Sequence, residues 1–119
     1  MSFTDTSLET LRQEVARFAS DRDWERFHTV RNLLLAVMSE VGEAADIVRW
    51  SGDSDPAVPL GKEQDWAHEL ADIQILLIRL ADRSGVDLSQ AVQEKLQIAG
   101  KKYPVDGFKG SCRKYDEAP

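Results

Sequence analysis

Apolar side chains recur every three or four residues along most of this chain, a spacing typical of helices with one buried face. The spacing predicts four helices, over residues 7–20, 29–50 and 62–83, and from 88 to the residue before Pro104. No segment of the sequence alternates apolar and polar residues as a half-buried strand would. We therefore expect an all-α fold, a bundle of four helices with antiparallel neighbours where the loops are short.

The expected helix ends rest on residues that favour capping. Thr6 and Glu9 have the spacing of a capping box at the start of the first helix, and Asp87 and Gln90 repeat it at the start of the fourth. Gly85 fits the left-handed conformation that closes many helices. The apolar positions of the fourth helix that we expect to face inward are Leu88, Ala91, Val92, Leu96 and Ala99.

Three segments break the helical period. Residues 21–28 are rich in charged and aromatic side chains and are expected to form a connector with a short helical turn. Residues 51–61 contain two prolines and two glycines, which predict a loop. Residues 105–119 have little apolar content, so we expect one helical domain over residues 1–104 followed by an extended tail.

The second helix is unusually apolar at its start. Residues 33–38 read Leu-Leu-Leu-Ala-Val-Met, which is apolar on every side of a helix. A helix of this kind is normally buried nearly all round. Because a bundle of 119 residues covers such a helix only in part, we expect another subunit to cover the rest, and we predict a homo-oligomer.

Composition narrows the class of protein. The net charge of -6 argues against a protein that binds duplex nucleic acid, which normally carries a basic surface. No apolar run approaches the roughly 20 residues of a membrane span, and residues 1–8 lack a signal-peptide pattern. Cys112 is the one cysteine and has no internal partner for a disulfide. A reducing, cytoplasmic location is therefore expected.

Two pairs of carboxylates interrupt apolar helix faces. Glu40 and Glu43 lie one turn apart in the second helix, and Glu69 and Asp72 lie one turn apart in the third. If the two helices close into a hairpin at the loop 51–61, the pairs come level with each other. Exposed ion-pairing carboxylates are the ordinary explanation of either pair alone, but the duplication on adjacent helices favours a shared site.

Four carboxylates in one small volume need a cation, because like charges raise one another's pKa. Oxygen ligands favour hard ions, so we expect Mg²⁺, with Mn²⁺ as an alternative. The chemistry that this site favours is metal-assisted attack of water on phosphorus. A di-iron site is disfavoured because it needs two Glu-x-x-His motifs. Glu25 and His28 form one such motif, and His68 precedes Glu69 at the wrong spacing.

The runs Glu40-Val-Gly-Glu43 and Glu69-Leu-Ala-Asp72 resemble the E-x-x-E…E-x-x-D signature of MazG-like nucleotide pyrophosphohydrolases. Further similarity, to the dCTP pyrophosphatase branch of that family, lies in residues 23–28 (DWERFH), 31–35 (RNLLL), 86–88 (VDL) and 101–104 (KKYP). The resemblance covers roughly residues 8–104, and Arg113-Lys114-Tyr115 is also similar.

This resemblance implies an all-α enzyme that cleaves a nucleoside triphosphate to the monophosphate and pyrophosphate. It implies that Mg²⁺ is held by Glu40, Glu43, Glu69 and Asp72, and that Glu40 or Glu43 activates water. Lys95 and Tyr103 match positions that contact phosphate, with Lys102 nearby. The chain has Ala99 where the family often has asparagine, so one phosphate or sugar contact is expected to differ. It has Leu76 where the branch tends to have tyrosine, so the sugar pocket is expected to differ as well. The branch also implies a homotetramer, with a dimer as the alternative.

Side chains that suit a pyrimidine base stand mostly before the second helix. Trp24 and Phe18 can supply stacking, and His28 and Asn32 can supply polar contacts. Phe18 also lies on the inner stripe of the first helix, where packing is the alternative, and His28 alternatively caps a helix. Trp50 either edges the pocket or packs against the loop or a partner.

Two more residues lie on faces near the carboxylates. Arg79 and Asp46 either support them or form surface ion pairs.

The sequence thus favours a Mg²⁺-dependent pyrophosphohydrolase that converts dCTP, or a related and possibly modified deoxycytidine triphosphate, for nucleotide-pool house-cleaning. The alternative function is a catalytically silent helical module that senses nucleotides or binds a partner.

Overall fold

The computed structural model describes residues 1–52 and 58–118. Its helices are α1 (Leu8–Asp21), α2 (Val30–Val48), α3 (Glu63–Ser84), α4 (Leu88–Lys102) and the short α5 (Val105–Phe108). A single 3₁₀ turn, Glu25–Phe27, interrupts the connector between α1 and α2, as expected. The described residues contain no strand, which confirms the all-α prediction. None of the described helices combines the length and hydropathy that a bilayer span requires.

The chain forms two compact units, Met1–Val86 and Asp87–Pro119. In the first unit, α2 packs along α3, and α1 contacts α3. The buried apolar residues of the described chain all belong to these helices: Ala19, Leu33, Ala44, Ile78 and Ala81. Three of the five are alanines, and small side chains of this kind allow helix backbones to approach closely.

The start of α1 differs from the prediction by one residue. Ser7, and not Thr6, has the extended backbone of an N-cap, and its side chain accepts a hydrogen bond from the amide of Thr10. Glu9 does not complete a capping box, since its carboxylate bonds the guanidinium of Arg12 at 2.8 Å. The two adjacent hydroxyl residues are equivalent in a sequence pattern, so only the backbone geometry selects between them.

The ends of the later helices follow the predicted caps. Gly85 ends α3 in the left-handed conformation, with φ of 72°. The side chain of Asp87 accepts from the amide of Gln90 at 3.0 Å and so caps α4. The reciprocal half of the capping box is wrong, because the Gln90 side chain donates instead to Glu94. The loop predicted at 51–61 falls partly on residues 53–57, which lie outside the described residues.

The prediction that α2 is buried nearly all round is wrong for the chain taken alone. Only Leu33 and Ala44 of this helix are buried, and Met38 is 64% exposed. Leu34, Leu35 and Val41 are about half exposed as well. An apolar run predicts that something covers the helix, but α3 contacts one side of it only. The helix also ends at Val48, so Trp50 lies beyond it.

The second unit differs from expectation in two respects. Within that unit, Val92 and Leu96 of α4 are exposed, although we expected both to face inward. Residues 105–119 are not extended throughout, because α5 follows Pro104 directly; it is a single turn in which Asp106 and Gly107 have non-helical backbone angles. Arg113 then donates to the carbonyl oxygens of Gly107 and Glu117 at 2.8 and 2.9 Å, which folds the segment back on itself. The division into a domain over 1–104 and a tail over 105–119 stays a prediction.

Candidate functional site

A cluster of three carboxylates lies where α2 packs along α3. Glu40 and Glu43 come from successive turns of α2, and Glu69 comes from α3. Each offers a carboxylate oxygen, and these oxygens all lie within 4.8 Å of one another. The hairpin of the two helices therefore brings together three of the four carboxylates that the sequence predicted. The cluster contains no histidine, which fits an oxygen-ligand site and not a di-iron site of the Glu-x-x-His type.

Two oxygens of this cluster lack the donors that a buried acceptor needs. Glu40 Oε2 and Glu69 Oε2 are both buried, and neither has a hydrogen-bond partner among the described residues. An ionised carboxylate only accepts hydrogen bonds, so neighbouring carboxylates cannot satisfy each other. Burying such a group without a partner is costly. Each of the two oxygens therefore requires either a proton or a cation.

The electrostatics of the cluster follow from this shortage of donors. Hydrogen bonding with Glu43, burial and the negative charge of Glu43 raise the pKa of Glu40 from its ordinary 4.5 to about 7. Burial, followed by the charge of Glu43, raises the pKa of Glu69 as well. In the absence of a cation, the cluster thus retains a proton near neutral pH. A divalent cation would displace that proton and satisfy the orphaned oxygens.

Asp72 stands apart from the three clustered glutamates. It is exposed and lies one turn after Glu69. It does not belong to the group of three residues whose carboxylate oxygens lie within 4.8 Å of one another. Its negative charge still raises the pKa of both Glu40 and Glu69. The donor set therefore fits a hard cation such as Mg²⁺ or Mn²⁺, with three carboxylates close together and the fourth beside them.

A chain of aromatic rings joins the end of α1 to the start of α2. The ring centroids of Phe18 and Trp24 are 5.7 Å apart, and those of Trp24 and His28 are 6.3 Å apart, both in edge-to-face geometry. Phe18 and Trp24 are partly exposed, so Phe18 is not the core residue that its position on the inner stripe indicated. Arg22 covers the Phe18 ring at 3.6 Å. The structure thus groups three of the five residues predicted to contact a base.

A polar network behind these rings contains the one charged residue that is buried among the described residues. Arg79, on α3, is 4% exposed and donates from Nε to His28 Nδ1 at 3.0 Å. Its Nη1 lies 3.3 Å from Asp82, which also pairs with Arg12 of α1 at 3.3 Å. Arg79 is therefore not a surface ion pair. Burial, together with the positive charges of Arg79 and Arg83, lowers the pKa of His28.

The other predicted contacts near α2 are less closely grouped. The side-chain NH₂ of Asn32 donates to the carbonyl oxygen of Phe27 at 3.0 Å, so Asn32 holds the connector against the helix. Trp50 is 86% exposed, with the Arg49 guanidinium 5.1 Å from its ring centroid. Asp46 pairs with Arg49 at 3.3 Å, which is the surface ion pair that the sequence left as an alternative.

The predicted phosphate contacts all belong to the second unit. Lys95 is exposed on α4. Lys102 ends α4 and places its Nζ 4.8 Å from the ring centroid of Tyr115. Tyr103 packs edge to face against Phe108 and Tyr115, at 5.1 and 5.9 Å between centroids. The contact of these three side chains with phosphate stays a prediction.

Sequence reasoning singled out Arg79 but missed its partners. Asp82 stands three positions after Arg79, the spacing of an ion pair on one helix face, and this local signal was overlooked. Arg12 carried no local signal, because it is 70 positions from Asp82 in the chain. His28 and Arg79 are likewise separated by 51 positions. The available signal was the charge of Arg79 on a largely apolar face of α3, which calls for buried partners. That signal does not say which residues they are.

Comparison with known proteins gives consistent results. The family model described as MazG-like matches residues 40–117. Proteins named dCTP pyrophosphatase 1 are 43% identical in Mus musculus and 42% identical in Homo sapiens, each over 97% of this chain and 69% of the relative. The crystal structure of a pyrophosphatase from Archaeoglobus fulgidus superimposes with a TM-score of 0.77 at 28% identity. The superposition covers 87% of this chain and 98% of that one.

Proposed function

The chain belongs to the MazG-like family, and on that premise we propose that it is a nucleotide pyrophosphohydrolase that cleaves dCTP or a closely related deoxycytidine triphosphate. The observation that carries the proposal is the carboxylate cluster of Glu40, Glu43 and Glu69 with its two orphaned buried oxygens. Such a cluster is costly to a folded protein that has no use for a cation. House-cleaning of the nucleotide pool is the role that we infer.

The cofactor that we propose is Mg²⁺, with Mn²⁺ as the alternative. Glu40, Glu43 and Glu69 would hold it, with Asp72 completing the set. When bound, the ion supplies positive charge that neutralises the triphosphate oxygens and makes water easier to deprotonate. The all-oxygen donor set supports a hard cation over zinc, which prefers nitrogen and sulfur ligands.

The reaction that we propose is in-line attack of water on the α-phosphorus. A phosphorus–oxygen bond forms to the water oxygen, the anhydride bond between the α- and β-phosphates breaks, and pyrophosphate leaves. Glu40 or Glu43 orients the water and takes its proton at a carboxylate oxygen.

The substrate contacts that we propose follow the two groups of side chains. Trp24 and Phe18 would stack on the base, while His28 and Asn32 would bond its polar edge and Trp50 would border the pocket. The edge-to-face rings of Phe18, Trp24 and His28 support this assignment. Lys95, Lys102 and Tyr103 would contact the phosphates and neutralise charge that develops on the leaving group.

We also propose that the protein works as a homo-oligomer, with a tetramer favoured over a dimer, in the reducing environment of the cytoplasm. The exposed apolar side chains of α2 support the oligomer. The exposed Cys112 supports a reducing location, since it has no second cysteine in the chain with which to form a disulfide.

The test is pyrophosphate release from a panel of canonical and modified nucleoside triphosphates, with Mg²⁺ and with EDTA. We expect metal-dependent release that is fastest with a deoxycytidine triphosphate. Glu43→Ala and Asp72→Ala should each reduce turnover to below about a tenth of wild type, with an unchanged circular dichroism spectrum. Glu14→Ala, on the exposed side of α1, is the matched control and should retain full activity.

The outcomes separate the reaction from the substrate. Fastest release of pyrophosphate from a triphosphate with another base would leave the proposed carboxylate site in place. It would overturn the assignment of Trp24, His28 and Asn32 to cytosine. Nucleotide binding without release from any member of the panel would overturn the enzyme and favour the catalytically silent module.

A further inference from the structure

The connector that precedes α2 is held by α3 through two arginines with different tasks. Arg83 donates from Nε to the carbonyl oxygen of His28 at 3.1 Å, and its Nη2 reaches the carbonyl oxygen of Glu25 at 3.5 Å. Arg83 thus fixes the backbone of the connector. Arg79 contacts the connector differently, because its Nε donates to the imidazole Nδ1 of His28.

The bond from Arg79 restricts the protonation of His28. An arginine is always charged and has only donors, so the Nδ1 that faces it must be an unprotonated acceptor. A neutral imidazole whose Nδ1 is unprotonated carries its hydrogen on Nε2. Within the part of the chain that the structure describes, no side chain or backbone group bonds that Nε2. The positive charges around the ring, Arg79 and Arg83 on α3, outweigh the carboxylate of Glu25 and disfavour a second proton.

The position of Arg79 is itself fixed. Its guanidinium is buried, and Asp82 holds Nη1 at 3.3 Å while pairing with Arg12 of α1. A buried guanidinium that is anchored on one side cannot rotate away from the imidazole without breaking an ion pair. The tautomer of His28 is therefore determined by Arg79 of α3, which Asp82 holds with the help of Arg12 from α1. The half-buried imidazole ring lies beside Trp24.

We propose that Arg79 is a positioning residue for base selection, which holds His28 in the Nε2–H tautomer so that the site presents a fixed hydrogen-bond donor to the base. This inference rests on the proposed function in one respect, that the base lies against Trp24 and His28. Cytosine carries adjacent acceptors at N3 and O2, whereas uracil and thymine carry an N3–H donor between their carbonyl oxygens. A fixed donor pairs with the cytosine N3 and opposes the N3–H of the other two bases.

The first experiment measures the tautomer directly, on the wild-type protein and without turnover. Long-range ¹H–¹⁵N correlation spectra of the imidazole distinguish the Nε2–H form, the Nδ1–H form and the imidazolium. The chain has two histidines, so His28→Gln assigns the signals by removing one set. We expect the Nε2–H form at neutral pH. An Nδ1–H form or an imidazolium would overturn the proposal, whatever the protein hydrolyses.

The second experiment compares Arg79→Met with Arg83→Met. Both variants remove an arginine of α3 that holds the connector, but only the first removes the bond to the imidazole. We expect Arg79→Met to reduce the preference in kcat/KM for dCTP over dUTP by about tenfold, through KM for dCTP and with kcat little changed. Arg83→Met should leave that preference within about twofold. Equal losses in the two variants would overturn the proposal in favour of a structural role.

Binding of dCMP and dUMP distinguishes failure of this inference from failure of the proposed function. The ratio of their dissociation constants can be measured without any hydrolysis of the nucleotide. If wild type prefers dCMP and Arg79→Met loses that preference, the inference is supported even in a protein that releases no pyrophosphate. If pyrophosphate is released but neither ratio changes in Arg79→Met, the inference is overturned while the reaction stands.

Discussion

Glu40 and Glu69 each contain a buried oxygen that no donor of the described residues reaches, and we expect the stability of the protein to depend on both protons and metal for this reason. In the folded, metal-free state the pKa of Glu40 is about 7, above the ordinary 4.5 that an unfolded chain shows. A group whose folded pKa is raised contributes stability that is fully present below the unfolded value and is lost as the pH rises through the folded one. The metal-free protein should therefore lose stability between about pH 4.5 and pH 7.

The corresponding prediction concerns melting temperatures in EDTA and in Mg²⁺. In EDTA, Tm should fall as the pH is raised from about 4.5 to about 7, because the clustered carboxylates lose a proton over that range. The difference between Tm in excess Mg²⁺ and Tm in EDTA should become larger as the pH rises through this range, since protons and metal compete for the same oxygens. Differential scanning calorimetry at several pH values measures both slopes.

The control for this prediction is Glu40→Gln, in which an amide replaces the titrating group. The variant should lose much of the slope in EDTA and most of the increase with Mg²⁺. Identical pH profiles of the wild type in EDTA and in Mg²⁺ would contradict a cation site at these residues.

At the residue scale, the sequence predicts what depends on near neighbours. The carboxylates of α2 and α3 were identified because Glu40 and Glu43, like Glu69 and Asp72, interrupt apolar faces at helical spacing. The bond between Arg79 and His28 was not identified, because the two residues are 51 positions apart and meet only after α3 has folded back on the connector.

A prediction at the scale of helices concerns the start of α1. Ser7→Ala removes the side chain that accepts from the amide of Thr10, and should cost about 1 kcal/mol in the free energy of unfolding. Thr6→Ala, at the neighbouring hydroxyl, should change that free energy by less than about 0.5 kcal/mol. Urea denaturation of both variants measures the difference. A larger loss in the Thr6 variant would show that the cap lies one residue earlier.

The end of α3 gives a second prediction of this kind. Gly85 has φ of 72°, and a Cβ built there would meet nothing within 4 Å. Gly85→Ala should therefore destabilise the protein by about 1 kcal/mol through backbone strain alone. Gly42→Ala is the matched control, because Gly42 lies within α2 with an equally open Cβ position. It should raise the free energy of unfolding of the isolated chain, as alanine favours a helix. A loss of stability in the control would indicate that another copy packs against Gly42.

The presence of each long helix could be predicted from the sequence, whereas the residues at which the helices begin and end were harder to predict. The apolar period extends over many residues, so a local error does not abolish it, and α1 to α4 all occur close to where it placed them. A helix end depends on one or two side chains, and equivalent candidates stand side by side, as Thr6 and Ser7 do. The turn α5 was missed because residues 105–119 carry no apolar period. Arg113 donates to the carbonyl oxygen of Gly107 within this turn, and the ring of Tyr103 packs on Phe108.

At the scale of the whole molecule, the main departure from expectation is the exposure of α2. The apolar run of residues 33–38 indicates that the helix is covered, but a local pattern does not say by what. Within the chain, Leu33 is covered, whereas Leu34 and Leu35 remain about half exposed and Met38 remains 64% exposed. Exposed side chains of this size on one helix are typical of a surface that another protein covers.

This exposure leads to the last prediction, that Met38→Lys dissociates the oligomer. Met38 is the most exposed of the apolar side chains on α2, at 64%, and a lysine there would bury an unpaired charge if a second copy of the chain covered the helix. Sedimentation velocity at micromolar concentration should show the wild type as an oligomer and Met38→Lys as a smaller species. Phe3→Lys is the matched control, because Phe3 is also exposed but precedes the helices, and it should sediment as the wild type does. A wild-type monomer would remove the homo-oligomer, and the exposed face of α2 would then require a different partner.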